Sequence, residues 1–320
     1  MDVTDIANLH RWNFFLFAML AVAAATPAAG QAPSAAAPTA DAAERATSIP
    51  DFSGIWTHPY FPGFEPPASG PGPVVNRSRR RDGVGNANQF VGDYNNPILK
   101  PQAAEILKKY GDVSLAGETY PTPSNQCWPS GVPYIFFQHG MQMLQLPDRI
   151  TFLYLRNHEF RQVRLNQPHP AQVTPSWYGD SVAHYEGDTL VIDTVGVRAG
   201  PFAMIDMYGT PFSPALHVVE RYRLIDYAEA KPAIDRNSKE NILFGPTVQS
   251  LLLDPNYRGK HLQLEFTVDD AGVFTTPWTA TITYSVPLGF WEEHVCAENR
   301  LGNFSNGREA AVPIADKSDF

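Results

Sequence analysis

The chain has 320 residues, of which 43% are hydrophobic and 12% aromatic, with 29 Pro and 23 Gly. This composition supplies enough apolar material for a sizeable core, and its many turn-forming residues favour β structure over a helical bundle or a coiled coil. The formal net charge is −9, from 24 Lys and Arg against 33 Asp and Glu. That balance excludes a broad nucleic-acid-binding surface.

The amino-terminal residues have the composition of an export signal followed by a tether. Residues 14–25 are apolar but too few to span a bilayer comfortably, and small residues follow them. We therefore predict a signal peptide over residues 1–30, although its beginning is more acidic than usual, and an uncleaved anchor is the alternative. Residues 31–49 are rich in Ala, Pro, Ser and Thr and are predicted to be a disordered tether. After cleavage, the protein is expected to be periplasmic or secreted, with no stable membrane span.

Residues 50–320 are predicted to form a single, mainly β domain. A short strand is expected at 51–57, and one short helix begins at Pro101, with Gly111 just past its end. Because strands then follow one another without further helices, they should form an antiparallel meander that closes or stacks to bury its edges. A lipocalin-like barrel satisfies this requirement, and a β-sandwich is the alternative. The later strands are predicted at 150–155, 160–165, 181–186, 189–194, 216–226, 261–268, 274–285 and 290–297.

Two hairpin loops of two residues are predicted within this meander. Residues 157–158 suit such a loop because Asn tolerates a positive φ, and residues 187–188 are the Gly-Asp of a second loop. The second loop fixes the register of its hairpin and places His184 opposite Val191.

Four residues on the second hairpin and the strand after it are candidates for acid/base chemistry. His184 and Asp193 share one face, and a carboxylate that orients an imidazole is a common general-base arrangement. His217 or Arg221 would stabilise developing negative charge. The alternative is that this face points outward and is simply solvated. The enzyme hypothesis is a cofactor-free hydratase, isomerase or hydrolase.

Aromatic side chains on the predicted strands are candidates to line a ligand site inside the barrel. They are Trp56, Tyr154, Tyr185 and Tyr222, with His294 on the last strand. Barrels of about eight strands hold one small ligand. The leading hypothesis is therefore an exported barrel that binds a small, largely apolar or aromatic molecule in its lumen. A third hypothesis is an envelope-associated interaction protein that uses the Pro-rich loop at 61–75.

Other site signals are weaker. No His or Cys spacing is typical of a metal site, and no nucleophile elbow, phosphate loop or dinucleotide motif occurs, so no metal or other cofactor is predicted. A basic cluster, Arg77 with residues 79–81, lies among Gly, Asn and Ser. We interpret this cluster as a solvated loop, with a site for an acidic ligand as the alternative.

Cys127 and Cys296 are the two cysteines of the chain. In an oxidising compartment they are a candidate disulfide, and two buried thiols are the alternative.

Two resemblances follow from short motifs. Gly54-x-Trp56 on the opening strand resembles the G-x-W of lipocalin and calycin proteins, in which the Trp packs across one end of an up-and-down barrel. Over roughly residues 50–300 the chain also resembles a large group of exported bacterial β-rich proteins of unassigned function. That resemblance implies a shared exported fold and pairing of Cys127 with Cys296, and it implies no activity. The matching segments are Cys127-x-Pro129-x-Gly131-Val132-Pro133, 186–194, 216–221, 276–278 and 295–299.

Overall fold

The computed structural model of the chain describes residues 49–59, 63–83, 85–86, 89–137, 140–200, 203–240, 252–288 and Val295. The described residues belong to one compact unit, Glu44–Phe320. The predicted signal peptide and almost all of the predicted tether lie outside the described residues, as does the predicted strand at 290–297 apart from Val295. Because His294 and Cys296 are in that strand, the ligand role of His294 and the Cys127–Cys296 disulfide stay predictions.

Nine strands form one sheet and two short strands form another. The two short strands, β8 (Leu252–Leu253) and β11 (Pro287–Leu288), pair with each other. In the large sheet each strand pairs with the next along the chain, except that β7 pairs with β9. Its members are β1 (Gly54–Thr57), β2 (Gly140–Gln145), β3 (Arg149–Tyr154), β4 (Phe160–Leu165), β5 (Asp180–Glu186), β6 (Thr189–Val195), β7 (His217–Ile225), β9 (His261–Asp269) and β10 (Trp278–Tyr284).

The large sheet curls into a nearly closed barrel. Thr57 at the end of β1 and Ser285 just after β10 exchange both backbone hydrogen bonds, with N···O distances of 2.8 and 2.7 Å. The rest of the β10 edge is covered by residues 63–71, which we call the strap. Within the strap, Glu65 exchanges backbone hydrogen bonds of 3.3 and 2.9 Å with Thr281. The predicted barrel is therefore confirmed, and part of the loop proposed as a partner-binding segment instead covers the edge of the sheet.

One pairing departs from the predicted antiparallel meander. β4 and β5 run parallel, with Arg164 opposite Val182 and Leu165 opposite Ala183. A parallel pair needs a long connection that returns the chain to the same end of the sheet. Residues 166–179 provide that connection, and we call them the crossover segment.

The second predicted hairpin loop is confirmed, and the first is wrong in register. Leu153 pairs with Phe160 and the Tyr154 N–H donates to the Glu159 carbonyl at 2.7 Å, so the first turn has four residues, 155–158, instead of two. Asn157 has the positive φ expected of it, 56°. His184 pairs with Val191, as the loop at residues 187–188 predicts.

The structure contains two helices, α1 (Pro101–Leu115) and α2 (Tyr227–Glu240), where one was predicted. α1 begins at Pro101 as expected, but Gly111 is buried inside it. A Cβ at Gly111 would lie only 3.1 Å from Cγ1 of Val91, so the glycine allows close packing and does not end the helix. α2 was missed because Pro232 lies inside it, and a helix-interior proline costs about 3 kcal/mol. Packing of α2 against β9 and β10 offsets that cost.

Neither helix in the described part of the chain has the length and apolar character needed to cross a bilayer.

Side chains alternate between the barrel interior and its outer surface, as the period of two in a strand requires. The interior-facing side chains bury one another. They include Trp56, Met141, Met143, Ile150, Phe152, Tyr154, Val163, Leu165, Leu190, Ile192, Val218, Tyr222, Leu264, Phe266, Trp278, Ile282 and Tyr284.

Candidate functional site

A charged pair lies inside the barrel. Arg161 on β4 and Glu220 on β7 are 2% and 0% exposed. Arg161 donates from Nη1 to Oε2 of Glu220 at 2.9 Å and from Nη2 to Oε1 at 2.6 Å. Burying both charges is costly, so such a pair persists only when further hydrogen bonds occupy its remaining polar atoms.

Three hydroxyl groups supply those further hydrogen bonds. Ser181 Oγ accepts from Nε of Arg161 at 3.1 Å, and Thr194 Oγ1 accepts from Nη2 at 2.7 Å. The Tyr222 hydroxyl donates to Oε2 of Glu220 at 3.0 Å. Burial opposes the charge on Arg161, but the Glu220 carboxylate outweighs burial and raises the pKa of Arg161. Burial is the main cause of a raised pKa of Tyr222, and the negative charge of Glu220 raises this pKa further. The Tyr222 hydroxyl therefore keeps its proton and remains a donor.

The structure brings two of the predicted ligand-binding residues together inside the barrel. Tyr154 and Tyr222 both contact the ring of Phe152, with ring centroids 6.2 and 5.6 Å from it. Trp56 is also buried, and its indole N–H donates to the carbonyl of Phe52.

Tyr185 is half-buried at the edge of the same interior. Its hydroxyl accepts a hydrogen bond of 3.0 Å from the amide of Gln145. It therefore lies apart from the Tyr154–Tyr222 group, as a residue that packs against the core.

The four residues predicted for acid/base chemistry face outward and form two separate groups. His217 Nε2 lies 2.9 Å from Oδ2 of Asp193. His184 Nε2 lies 3.0 Å from Oε1 of Glu186, and Arg221 donates to Oε2 of the same Glu186 at 2.7 Å. The structure therefore joins His217 to Asp193 and places His184 and Arg221 around Glu186.

Asp193 has a second histidine partner, His169, that sequence analysis did not assign to a site. His169 lies in the crossover segment, and its Nε2 is 2.9 Å from Oδ1 of Asp193. Its Nδ1 is 2.6 Å from Oδ1 of Asp180. The two carboxylate oxygens of Asp180 each accept one hydrogen bond from Arg164. Alternation along the strands gives no signal for the His169 contact because the crossover segment is irregular.

These outer contacts do not form a metal centre. Within the ranges that the structure describes, no group of three or more His, Cys, Asp and Glu side chains is arranged to hold a metal ion.

We expect the Asp193–His217 contact to stabilise the fold only over a limited pH range. The His217 hydrogen bond lowers the pKa of Asp193, and the same bond raises the pKa of His217, with partial burial opposing both shifts. The Asp193 contribution is present above the ordinary carboxyl pKa of about 4, and the His217 contribution is present below the ordinary imidazole pKa of about 6.5. Asp193→Asn should therefore lower the unfolding free energy between these values, by less than about 1 kcal/mol because both groups are well exposed.

Urea unfolding across the pH range measures this effect. The loss should shrink as pH rises through the raised pKa of His217, and it should also shrink as pH falls through the lowered pKa of Asp193. A loss that is constant from acid to alkaline pH would contradict the assignment.

A cleft of about 250 Å³ lies between the strap, β10, α2 and the chain around residues 75–85. Its apolar wall is formed by Phe64, Val75, Tyr208 and Ile282, and the polar residues that line it are Glu65, Asn76, Arg79, Arg236, Asn237 and Thr281.

Aromatic contacts hold the Phe64 wall of the cleft in place. The Phe64 ring stacks on Phe137 at 4.0 Å between centroids and meets Phe266 edge-on at 4.8 Å. Because Phe266 points into the barrel, the strap is anchored to the barrel interior.

A buried carboxylate positions the Tyr208 wall. Oδ1 of Asp206 accepts the backbone N–H of Tyr208 at 2.9 Å and that of Thr210 at 3.1 Å, and Oδ2 accepts the Thr210 hydroxyl at 2.6 Å. Burial raises the pKa of Asp206 to about 6. These bonds fix the turn at residues 206–210 and hold Tyr208 against the cleft.

Comparison with known proteins found no matching family model, no matching curated protein and no matching solved structure. The resemblances to lipocalin and calycin proteins and to the exported bacterial group therefore stay predictions.

Proposed function

We propose that this protein is an exported β-barrel protein that binds a small molecule with an apolar or aromatic body. We place the binding site in the cleft beside the strap. The observation that supports this is the cleft itself, which combines about 250 Å³ of space with a four-residue apolar wall and a few polar groups. Small-molecule sites have this composition, and about 250 Å³ is just below their usual size of roughly 300–1,000 Å³.

The cleft is a better place for a ligand than the centre of the lumen, where the sequence predicted it. Tyr154 and Tyr222 are 2% and 0% exposed, and the Tyr222 hydroxyl already donates to Glu220. A ligand there would have to displace packed side chains. In the cleft, Val75 is 36% exposed and offers apolar surface without rearrangement.

The acid/base enzyme is a weaker proposal. Its residues divide between Asp193 and Glu186 on the outward face of the barrel. None of them lines the cleft.

Val75→Trp should weaken binding of a neutral aromatic probe, N-phenyl-1-naphthylamine, by about tenfold or more because the indole would occupy the cleft. Fluorescence titration of the purified protein measures the affinity. Leu144→Trp is the matched control, since Leu144 has the same 36% exposure but lies on the outer face of β2, outside the cleft.

The control should bind the probe as the unmodified protein does. If Val75→Trp also leaves binding unchanged, the cleft is not the binding site. The barrel interior would then be the site of the bound probe. If the probe does not bind the unmodified protein at all, the proposed function is wrong.

The export part of the proposal is supported by the sequence, from the apolar run at residues 14–25 and the small residues that follow it. Amino-terminal sequencing of the protein recovered from the periplasm or medium tests this. The first residue should fall near positions 29–32, and an intact amino terminus would contradict cleavage.

A further inference from the structure

We infer that the ligand of the cleft carries a carboxylate and that Arg79 binds it. This inference rests on the proposed function, because it names the chemical class of the molecule that the cleft would take. Guanidinium groups bind carboxylates through two parallel hydrogen bonds, which gives both affinity and orientation.

The chain around Arg79 is held in a fixed shape by a buried asparagine. Asn76 is 4% exposed, and its Oδ1 accepts the backbone N–H groups of Ser78 and Val91 at 3.0 and 3.2 Å. Its Nδ2 donates to the carbonyls of Asn86 and Gln89, both at 3.0 Å. One side chain thus joins both ends of the segment, so Arg79 projects from a well-supported backbone.

A backbone bridge within that segment completes the support. Arg79 forms an isolated β-bridge with Gly85, and a Cβ at Gly85 would lie 3.4 Å from Nη1 of Arg79. The guanidinium therefore passes close over the glycine on its way to the cleft.

Two of the three neighbouring arginines of the basic cluster are engaged elsewhere. Arg77 lies 3.8 Å from a carboxylate oxygen of Asp93, and its guanidinium is 4.6 Å from the ring centroid of Tyr94. Arg80 is 3.2 Å from Asp82. No ion pair of Arg79 occurs among the residues that the structure describes, and Arg79 is the member of the cluster that lines the cleft.

The charges on the opposite wall do not neutralise Arg79. Glu65 and Arg236 form an ion pair with each other there. The cleft therefore has two guanidinium groups and one carboxylate, within a protein whose net charge is −9. Local positive charge beside an apolar wall favours a small acid with an apolar body over a neutral or cationic molecule.

The test compares 2-naphthoate with 2-naphthamide, which has nearly the same shape but no charge. Each displaces N-phenyl-1-naphthylamine from the unmodified protein and from Arg79→Gln, Arg79→Lys and Arg81→Gln. Arg81→Gln is the control. It removes the same charge from the same cluster, but Arg81 is exposed and does not line the cleft.

The unmodified protein should bind the acid about tenfold more tightly than the amide. Arg79→Gln should abolish that preference without changing the affinity for the amide, and Arg81→Gln should keep it. Arg79→Lys should retain part of the preference, since it keeps the charge but loses the two-bond geometry.

Two results would overturn the inference while leaving the proposed function intact. The first is that the unmodified protein binds 2-naphthoate and 2-naphthamide with equal affinity. The second is that Arg79→Gln and Arg81→Gln change the preference for the acid by the same amount. In both cases Val75→Trp would still weaken binding of N-phenyl-1-naphthylamine. If neither compound displaces the probe and Val75→Trp has no effect on it, the inference and the proposed function both fail.

Discussion

Replacing Glu220 by Gln should destabilise the barrel by about 3–5 kcal/mol, because it leaves the Arg161 charge buried without its counter-charge. Glu220 is 0% exposed and accepts hydrogen bonds from Arg161 at two oxygens and from the Tyr222 hydroxyl. Gln keeps the shape and one acceptor oxygen, so the loss reports the charge and not a cavity. Urea unfolding monitored by tryptophan fluorescence gives the free energy.

Glu186→Gln is the control for this prediction. Glu186 also pairs with an arginine, Arg221 at 2.7 Å, but both side chains are more than 40% exposed. Its replacement should have a much smaller effect, because water replaces the lost partner. Equal effects of the two substitutions would show that the interior pair is not a stabilising unit.

The coupling between the two interior charges can be measured directly. Arg161→Met alone should destabilise the protein as Glu220→Gln does, since it removes the partner of a buried carboxylate. The double variant Arg161→Met with Glu220→Gln should lose less than the two single substitutions combined, because no charge is then left buried. Additive losses would mean that the charges do not interact.

Phe266→Ala should destabilise the protein by about 3–5 kcal/mol. Phe266 is 1% exposed, and its ring contacts Phe64 of the strap, Phe136 and Trp278. The substitution opens a cavity where the strap meets the barrel interior. Thermal or urea unfolding measures the loss.

Phe160→Ala is the matched control, since it makes the same change on the outer face of β4. Phe160 is 57% exposed, so its loss should change stability by no more than about 0.5 kcal/mol. A small effect of Phe266→Ala would mean that the strap is not anchored through this ring.

The second hairpin was predictable in detail because two local rules determine it. A two-residue loop fixes the register, and alternation then assigns each side chain to a face. The apolar face, with Ala183, Leu190 and Ile192, is the buried one. The polar face with His184 and Asp193 is therefore outward, the alternative that the sequence had left open.

The interior ion pair was missed although the sequence contains a signal for it. Glu220 alternates with Val218, Tyr222 and Leu224, so a charged residue lies on an otherwise apolar face. Such a residue needs a partner once that face is buried. Arg161 alternates with apolar residues in the same way on its own strand.

The cleft and the His169 contact could not be predicted from the sequence. The cleft combines the strap, the segment around Arg79, the turn with Tyr208, α2 and β10, which are far apart along the chain. His169 reaches Asp193 through an irregular crossover segment. Periodicity relates residues within one element, and it carries no information on how distant loops meet.

The contact between Thr57 and Ser285 has a consequence for how the protein is made. It joins the first strand of the sheet to the residue after its last strand. During synthesis one edge of β1 can pair with β2, but its other edge stays unpaired until almost the whole domain has emerged from the ribosome. Until then the nascent sheet has two open edges, which are templates for aggregation, and such high contact order makes folding slow.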